Sequence, residues 1–449
     1  MAVETMYTSV ACNWSRYSTD WGFNNLICFG ACNSVAICDP EKDDYGSITN
    51  TLCHHKSMVN SVRWIKSQND AEETEILSTS CDATACIWRR IEDGTYELVQ
   101  SLEGHSEDVI VGDGIKSNCL NKDSFVIATA STDSTIKIWT DKKENMLKCI
   151  QTIDLLREMC FEIRLNYLPG TSNLLMICAN TDCRICLYAK SDDLFIKVNE
   201  LQGHEDFVRT IDVISFGVAQ HTYKNNCRTM FIASGDQAGQ IRIWQLSSQN
   251  LRTQETNSKM DDFKPEVNFF SFITDDKEHE FAISIESVIL AHDGMINGIR
   301  WHPKVKTENG FHQPMKILSC SMDKTMILWE PDIQSGVWLE SIRVGEVGGN
   351  SLGFFGCSFG PQGKNILAYG KQGSFHLWSF NQVCKSRKRK WEPKLSVSGH
   401  FQGVVDIAWE PEGEFLLSVS CDQTTRIHAP WRRSNGKGLF YFTKLNKKE

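Results

Sequence analysis

The chain has 449 residues, 23% of them charged, a net charge of −9, 10% aromatics and 13 Trp. That balance argues against a general nucleic-acid footprint, and with no apolar run of about eighteen residues it excludes a membrane-spanning helix. The length is too great for one ordinary core but suits a repeat array, which grows by adding units. Met1–Thr5 shows no basic stretch leading into an apolar one, so no secretory signal is expected. The 18 Cys then read as reduced thiols that serve as small hydrophobes within strands, Cys28, Cys86, Cys178, Cys186 and Cys320 among them. Asn13-Trp-Ser15 matches a glycosylation acceptor that a cytoplasmic chain would not use.

In chain order, short apolar strands recur: Val35–Cys38, Cys86–Trp88, Ile136–Trp139, Ile185–Tyr188, Ile241–Trp244, Met326–Trp329, Phe375–Trp378 and Thr425–His428. Their ends have a period of about fifty residues with one long interval, which marks an array. Upstream stand Gly104-His105, Gly203-His204 and Gly399-His400, with His54-His55 and Ala291-His292 as variants. Asp82, Asp133, Asp182, Asp323 and Asp422 lie six residues before the strand-ending residue, and Ser78, Thr129, Ser319 and Ser418 four before the Asp. This is the WD-repeat pattern of one four-stranded blade per repeat, so the expected fold is an all-β, WD-repeat β-propeller. No sustained helical period competes with it.

The pattern has a local chemical reason. An imidazole buried between a turn carboxylate and a hydroxyl, with an indole N–H completing the chain, satisfies every polar atom. The fullest sets are His55-Ser78-Asp82-Trp88, His105-Thr129-Asp133-Trp139 and His292-Ser319-Asp323-Trp329. A His–Asp–Ser catalytic triad is rejected, because the trio repeats at one spacing instead of surrounding one exposed nucleophile. In the fifth unit Ala238 and Gly239 stand where the turn Asp is expected; the fourth ends on Tyr188 without the His, and the seventh has Gln372 and no Gly-His.

Residues 1–380 are therefore expected to form the propeller, with an insertion at 247–286 whose later part, Val267–Ile273 and Phe281–Ile285, is strand-like and expected to add strands to a blade edge. A basic linker is expected at 381–395 and a further repeat unit at 396–449. Gly349-Asn-Ser-Leu-Gly353 fits the nucleophile-elbow spacing but leads into a blade strand instead of a helix. Cys183 and Cys186 are read as lying in one strand, where i and i+3 face opposite sides and cannot share a metal. No metal or cofactor is expected. Lys385–Lys390, followed by Trp391, is the one dense basic cluster: a solvated loop, a nuclear-import signal or an RNA contact.

Several stretches carry a more particular signal. Ser321–Trp329, Ser335–Asn350, Gly399–Gly403, Glu410–Phe415, Asp422–Arg426 and Ala429–Trp431 resemble the Elongator complex subunit 2 family, as do Val59–Ile65, Asp182–Ile185 and Gly203–Asp206. That family is built as two consecutive propellers of about seven blades. The resemblance implies a seven-bladed ring here, with the eighth unit displaced as the start of a shortened second propeller; an eight-bladed ring is the alternative. It also implies a non-catalytic scaffold subunit that binds the catalytic radical-SAM and acetyltransferase subunit and the large scaffold subunit, in support of wobble-uridine tRNA modification. No small-molecule substrate or membrane follows from it, direct tRNA contact is left open, and the location is cytoplasmic with a route to the nucleus. The loop following Arg343 is the expected partner contact, through Arg343, Gly345, Glu346, Gly348, Gly349 and Asn350: its paired glycines permit close backbone approach, and Arg343 and Glu346 supply polar anchors. A second reading is a propeller adaptor presenting peptides to a ubiquitin ligase or a chromatin complex. A third, an enzyme with a central-channel site, would need converging carboxylates or a metal cluster that the sequence does not display.

Overall fold

A computed structural model describes residues 5–428 except 11, 14, 16, 41, 43–46, 68–72, 118–123, 142–145, 192, 217–228, 250–266, 275–276, 308–309, 333, 345–352, 382–389, 412 and 414. Strand β1 (Thr5–Val10) precedes blade 1, which holds β2 (Thr19–Trp21), β3 (Ile27–Ala31), β4 (Ser34–Asp39) and β5 (Ser47–Cys53). Blade 2 is β6 (Val59–Trp64), β8 (Glu75–Ser80), β9 (Thr84–Arg90) and β10 (Tyr96–Glu103); between its first two strands β7 (Lys66–Ser67) leaves to pair in parallel with the next blade. Blade 3 is β11 (Val109–Ser117), β12 (Ser124–Ser131), β13 (Thr135–Asp141) and β14 (Leu147–Asp154), and blade 4 is β15 (Cys160–Tyr167), β16 (Leu174–Asn180), β17 (Ile185–Ser191) and β18 (Leu194–Leu201).

Blade 5 has five strands: β19 (Val208–Phe216), β20 (Thr229–Asp236), β21 (Gln240–Gln249), β22 (Val267–Thr274) and β23 (Lys277–Leu290). In blade 6, β24 (Ile296–Trp301) is followed by a small hairpin, β25 (Val305–Thr307) and β26 (Gly310–His312), and then β27 (Ile317–Ser321), β28 (Met326–Pro331) and β29 (Trp338–Val344). Blade 7 is β30 (Phe354–Phe359), β31 (Asn365–Gly370), β32 (Ser374–Asn381) and β33 (Lys390–Ser398). Blade 8 combines β34 (Val404–Trp409), β35 (Leu416–Ser420) and β36 (Thr424–His428) with β1. The fold is an all-β WD-repeat propeller with eight blades.

The eighth blade corrects the seven-blade expectation. Strand β1 pairs antiparallel with β36, Thr5 opposite His428 and Val10 opposite Thr424, so the last repeat gains its fourth strand from the other end of the chain. Its apolar face is covered as well. Phe415, Leu417, Val419 and Ile427 share one core with Trp21, Ile27, Phe29, Ala36 and Cys38 of blade 1. A displaced eighth unit would have left that face uncovered. Lys390–Ser398, partly assigned to a linker, is strand β33 paired with β32.

By contact density the chain divides into Met1–Arg157 with Lys364–Glu449, and Glu158–Gly363. In the first unit a core of Val35, Ile37, Val59, Val62, Ile76 and Trp88 joins blades 1 and 2, and one of Leu77, Ile87, Phe125, Ile127 and Trp139 joins blades 2 and 3. In the second unit Ile177, Leu187, Ile211, Ile232 and Trp244 join blades 4 and 5. The inserted hairpin belongs to that core: β22 pairs with β23, β23 with β21, and Phe281 and Ile283 pack inward while Phe270 stacks on Phe281 at 5.2 Å.

Two polar devices link neighbouring blades. Side-chain amides of Asn13, Asn60 and Asn297 donate to the carbonyls of Val59, Val109 and Phe354 at 2.9, 2.9 and 2.8 Å. Carboxylates on first strands accept backbone N–H groups from the next blade: Asp406 from Thr19 (3.4 Å), Asp20 from Trp64 (3.0 Å), Glu162 from Ile211 (2.8 Å) and Asp212 from Trp301 (2.7 Å).

Candidate functional site: polar networks within the blades

Each network begins at the loop that enters a blade and ends on its third strand. In blade 2, His55 Nε2 lies 2.9 Å from Ser78 Oγ and His55 Nδ1 lies 3.1 Å from Asp82 Oδ2, while Trp88 Nε1 donates to Ser78 Oγ at 3.0 Å. Blade 3 repeats this with His105, Thr129, Asp133 and Trp139, every contact at 2.9 Å. Blade 6 does so with His292, Ser319, Asp323 and Trp329 at 2.8, 3.1 and 2.9 Å. The order is fixed by donor chemistry: the indole N–H donates to the hydroxyl, the hydroxyl to Nε2, and Nδ1–H to the carboxylate. A fifth member joins them. The hydroxyls of Thr84, Thr135 and Thr325 donate to the same Asp at 2.6 Å, and the backbone N–H of Lys56, Ser106 and Asp293 closes on its second oxygen.

Electrostatics follow from this geometry. Burial pushes the Asp133 carboxyl up, but donation from Thr135, His105 and Ser106 outweighs it and brings the group down to about 2; Asp422 reaches about 2 for the same reasons through Thr424, Phe401 and His400. Asp82 and Asp323 are lowered likewise. Burial lowers His55, His105 and His400 against the pull of their carboxylates, which keeps these rings neutral.

Two further networks lie outside the three fullest sets read from the sequence. In blade 5 His204 Nδ1 lies 2.8 Å from Asp236 Oδ2, His204 Nε2 lies 2.7 Å from Ser234 Oγ, and Trp244 Nε1 donates to Ser234 at 3.4 Å. The Asp is present; it stands two residues earlier than the spacing demanded. Gly239 explains the shift. It adopts φ +90°, and a Cβ there would lie 2.2 Å from the His292 carbonyl oxygen, so the longer turn reaches the entry loop of blade 6. In blade 8, His400, Ser418 and Asp422 are joined by His428 in the indole's place, 2.9 Å from Ser418 Oγ. The available signal was the serine or threonine ten residues before the strand-ending residue, common to all five.

Blade 4 shows what happens without the imidazole. The histidines stand four residues before the first strand; the equivalent here is Leu156, which is 81% exposed at φ +54°. Cys178 replaces the hydroxyl, and the buried Asn180 amide donates instead to Cys186 Sγ at 3.6 Å. Asp182 shifts up: burial raises it, and donation from the Arg184 N–H at 3.1 Å does not offset that. Cys183 lies in the turn at φ +63°, not in the strand with Cys186.

Of the expected partner loop, Gly345, Glu346, Gly348, Gly349 and Asn350 lie outside the described residues, as does most of the nucleophile-elbow match. Arg343 is on β29, its guanidinium held 2.9 Å from Glu340. Lys385–Arg389 also lie outside the described residues; Lys390 begins β33, and Trp391 packs on Phe380 at 5.3 Å. Asn13 is 4% exposed with its amide nitrogen bonded to the Cys32 and Val59 carbonyls, so it is no glycan acceptor in the folded chain. Among the described residues no group of three or more His, Cys, Asp or Glu is placed to hold a metal ion, and no helix is long and apolar enough to cross a membrane.

The family description "WD domain, G-beta repeat" matches residues 46–89, 96–140, 284–330 and 391–428. Over 94% of its length the chain is 37% identical to Elongator complex protein 2 of Homo sapiens; it is 38% identical over 96% to the Drosophila melanogaster protein of that name and 29% over 96% to the Arabidopsis thaliana one. It covers 48%, 52% and 52% of those proteins, so it spans about half the length of the curated relatives it matches. The resemblance to Elongator complex subunit 2 thus extends over nearly the whole chain. A solved structure, that of Saccharomyces cerevisiae Sqt1, superposes with a TM-score of 0.65 over 96% of this chain and all of its own, at 11% identity, a likeness of fold alone.

Proposed function

We propose that this WD-repeat chain acts as a non-catalytic scaffold of an Elongator-type assembly, docking the catalytic subunit and the large scaffold subunit in support of wobble-uridine modification of tRNA in the cytoplasm. The observation that carries this reading is the similarity to proteins named Elongator complex protein 2 from animals and a plant, over 94% or more of the chain. The chemistry of the blades agrees with it. The five network histidines each use both ring nitrogens on partners inside their own blade, and each serine or threonine hydroxyl is held between two rings. Groups held this way rigidify a surface and leave no nucleophile poised for a substrate. Docking rests on the loops and strand edges, with the segment after Arg343 as the first contact to test.

The test is affinity purification of the chain from its native cells with mass spectrometry, followed by wobble-uridine analysis after deletion. Co-purifying Elongator subunits and loss of the modified uridines are expected. A ubiquitin-ligase linker or histones in their place, or unchanged tRNA, would overturn the assignment.

A further inference from the structure

Blade 8 differs from the other networked blades in one residue, and that residue titrates. Trp88, Trp139, Trp244 and Trp329 each donate an indole N–H to the central hydroxyl. At the equivalent place stands His428, 1% exposed, with Nε2 2.9 Å from Ser418 Oγ. The same oxygen lies 2.8 Å from His400 Nε2, and His400 Nδ1 lies 3.1 Å from Asp422. One hydroxyl between two imidazoles must accept from one and donate to the other. His400 is committed as Nδ1–H donor to Asp422, so its Nε2 takes the Ser418 proton and His428 donates from Nε2–H.

His428 Nδ1 therefore carries the lone pair. It is buried and has no hydrogen-bond partner among the described residues. An indole cannot take a second proton at this place, whereas an imidazole can. The surroundings oppose that proton. The His400 ring faces it through Ser418, and Arg426 sits on its own strand; Phe375 of β32 stands edge-on at 5.1 Å. Asp422, the carboxylate of the network, is occupied by His400, Thr424 and the Phe401 N–H. Burial, then His400 and Arg426, bring the His428 imidazole down to about 3.

Location gives this a consequence. His428 lies in the pairing register with Thr5, on the seam where β1 completes the blade. We propose that His428 makes this seam an acid-operated latch: a proton on its buried Nδ1 leaves the Nε2–H bond to Ser418 in place but creates a charged ring with no acceptor for the new N–H, so β1 separates from β36 as pH falls and frees that strand edge for pairing, more readily than strands separate in blades closed by tryptophan. The linkage sign agrees. A base whose folded value is depressed binds its proton in the open state, so opening becomes easier as pH falls below the ordinary histidine value of about 6.5.

Amide hydrogen exchange on the full chain, corrected for intrinsic rates, tests this at about pH 7.5 and about pH 5.5, where one extra proton per opening amounts to about a tenfold rise in the opening equilibrium. In the wild-type protein the amides of β35 and β36 should show about tenfold greater pH dependence than those of β8 and β9, where the same His–Ser–Asp set is closed by Trp88. His428→Gln, which keeps an N–H donor, and His428→Trp, which restores the indole, should each remove that excess. Equal pH dependence in the two wild-type blades overturns the latch, as does an excess that survives in either folded variant.

Discussion

Thr129→Val is the cleanest test of the claim that these networks hold the blades together. The substitution keeps the branched shape of a fully buried side chain and removes only the hydroxyl. That hydroxyl satisfies His105 Nε2 and Trp139 Nε1, each at 2.9 Å. Both lose their partner together, and neither reaches solvent easily, with His105 8% and Trp139 3% exposed. A buried polar atom left unpaired costs about 1–3 kcal/mol, so with two such atoms the variant should lose about 2–6 kcal/mol without any cavity contribution. Urea unfolding followed by tryptophan fluorescence measures the loss, and amide exchange in β12 and β13 localises it. A double-mutant cycle with Trp139→Phe adds a sharper check. Removing the indole in the Thr129→Val background also removes one orphaned donor, so the second substitution should cost about 1 kcal/mol less than in the wild type. A loss below about 0.5 kcal/mol, or strict additivity in the cycle, would refute the reasoning.

Acid should destabilise the chain in two steps with the same sign. His55, His105 and His400 are depressed by burial, so their stabilisation is present above about pH 6.5 and is lost as pH falls; Asp133 and Asp422, held at about 2, add a contribution present above about pH 4 and lost below it. A thermal midpoint that rises from pH 7 to pH 4 would contradict this. Glu73 behaves oppositely: burial, with Asp20 nearby, raises it to about 7, so its charged form weakens the fold at alkaline pH. Glu73→Gln, which keeps an acceptor for the Phe23 N–H, should stabilise the chain by about 1 kcal/mol at pH 8 and by only about a quarter of that at pH 5, as read from urea midpoints. Gly239→Ala should cost about 3 kcal/mol or abolish soluble expression, because φ +90° and the His292 carbonyl at 2.2 Å leave no room for a methyl group; a wild-type melting curve would reject that account.

What the sequence made legible was whatever each blade repeats. The strand-ending residue aligned Cys38 and Tyr188 with the tryptophans, and the structure places a β-bulge at each of them, between Ile37 and Cys38 and between Leu187 and Tyr188, as between Ile138 and Trp139. The carboxylate was less legible, because its distance from the aromatic depends on turn length; Asp236 escaped for that reason alone. The hydroxyl sits opposite the third strand in a ladder that tolerates no insertion, so its spacing of ten residues survives in blade 5, where the turn is longer.

What joins the repeats left no period to read. The pairing of Thr5 with His428 bridges both ends of the described chain, and β1 carries no His, Asp or Trp that would announce a blade strand. Eight strand ends were countable, but a family built of seven blades outweighed the count. The carboxylates that accept backbone N–H groups across blades show the same difficulty: they share no single register position, since Glu162 and Asp406 stand opposite Ala179 and Val419, one residue after the place of the central hydroxyl, whereas Asp212 stands opposite Ala233, one residue before it. A contact between repeats needs only one charged oxygen within reach of an edge N–H, and many residues can provide that. A network inside a repeat needs four or five groups at fixed separations, and few combinations meet that demand. Periodicity therefore reveals the interior of a blade well before it reveals how blades close into a molecule.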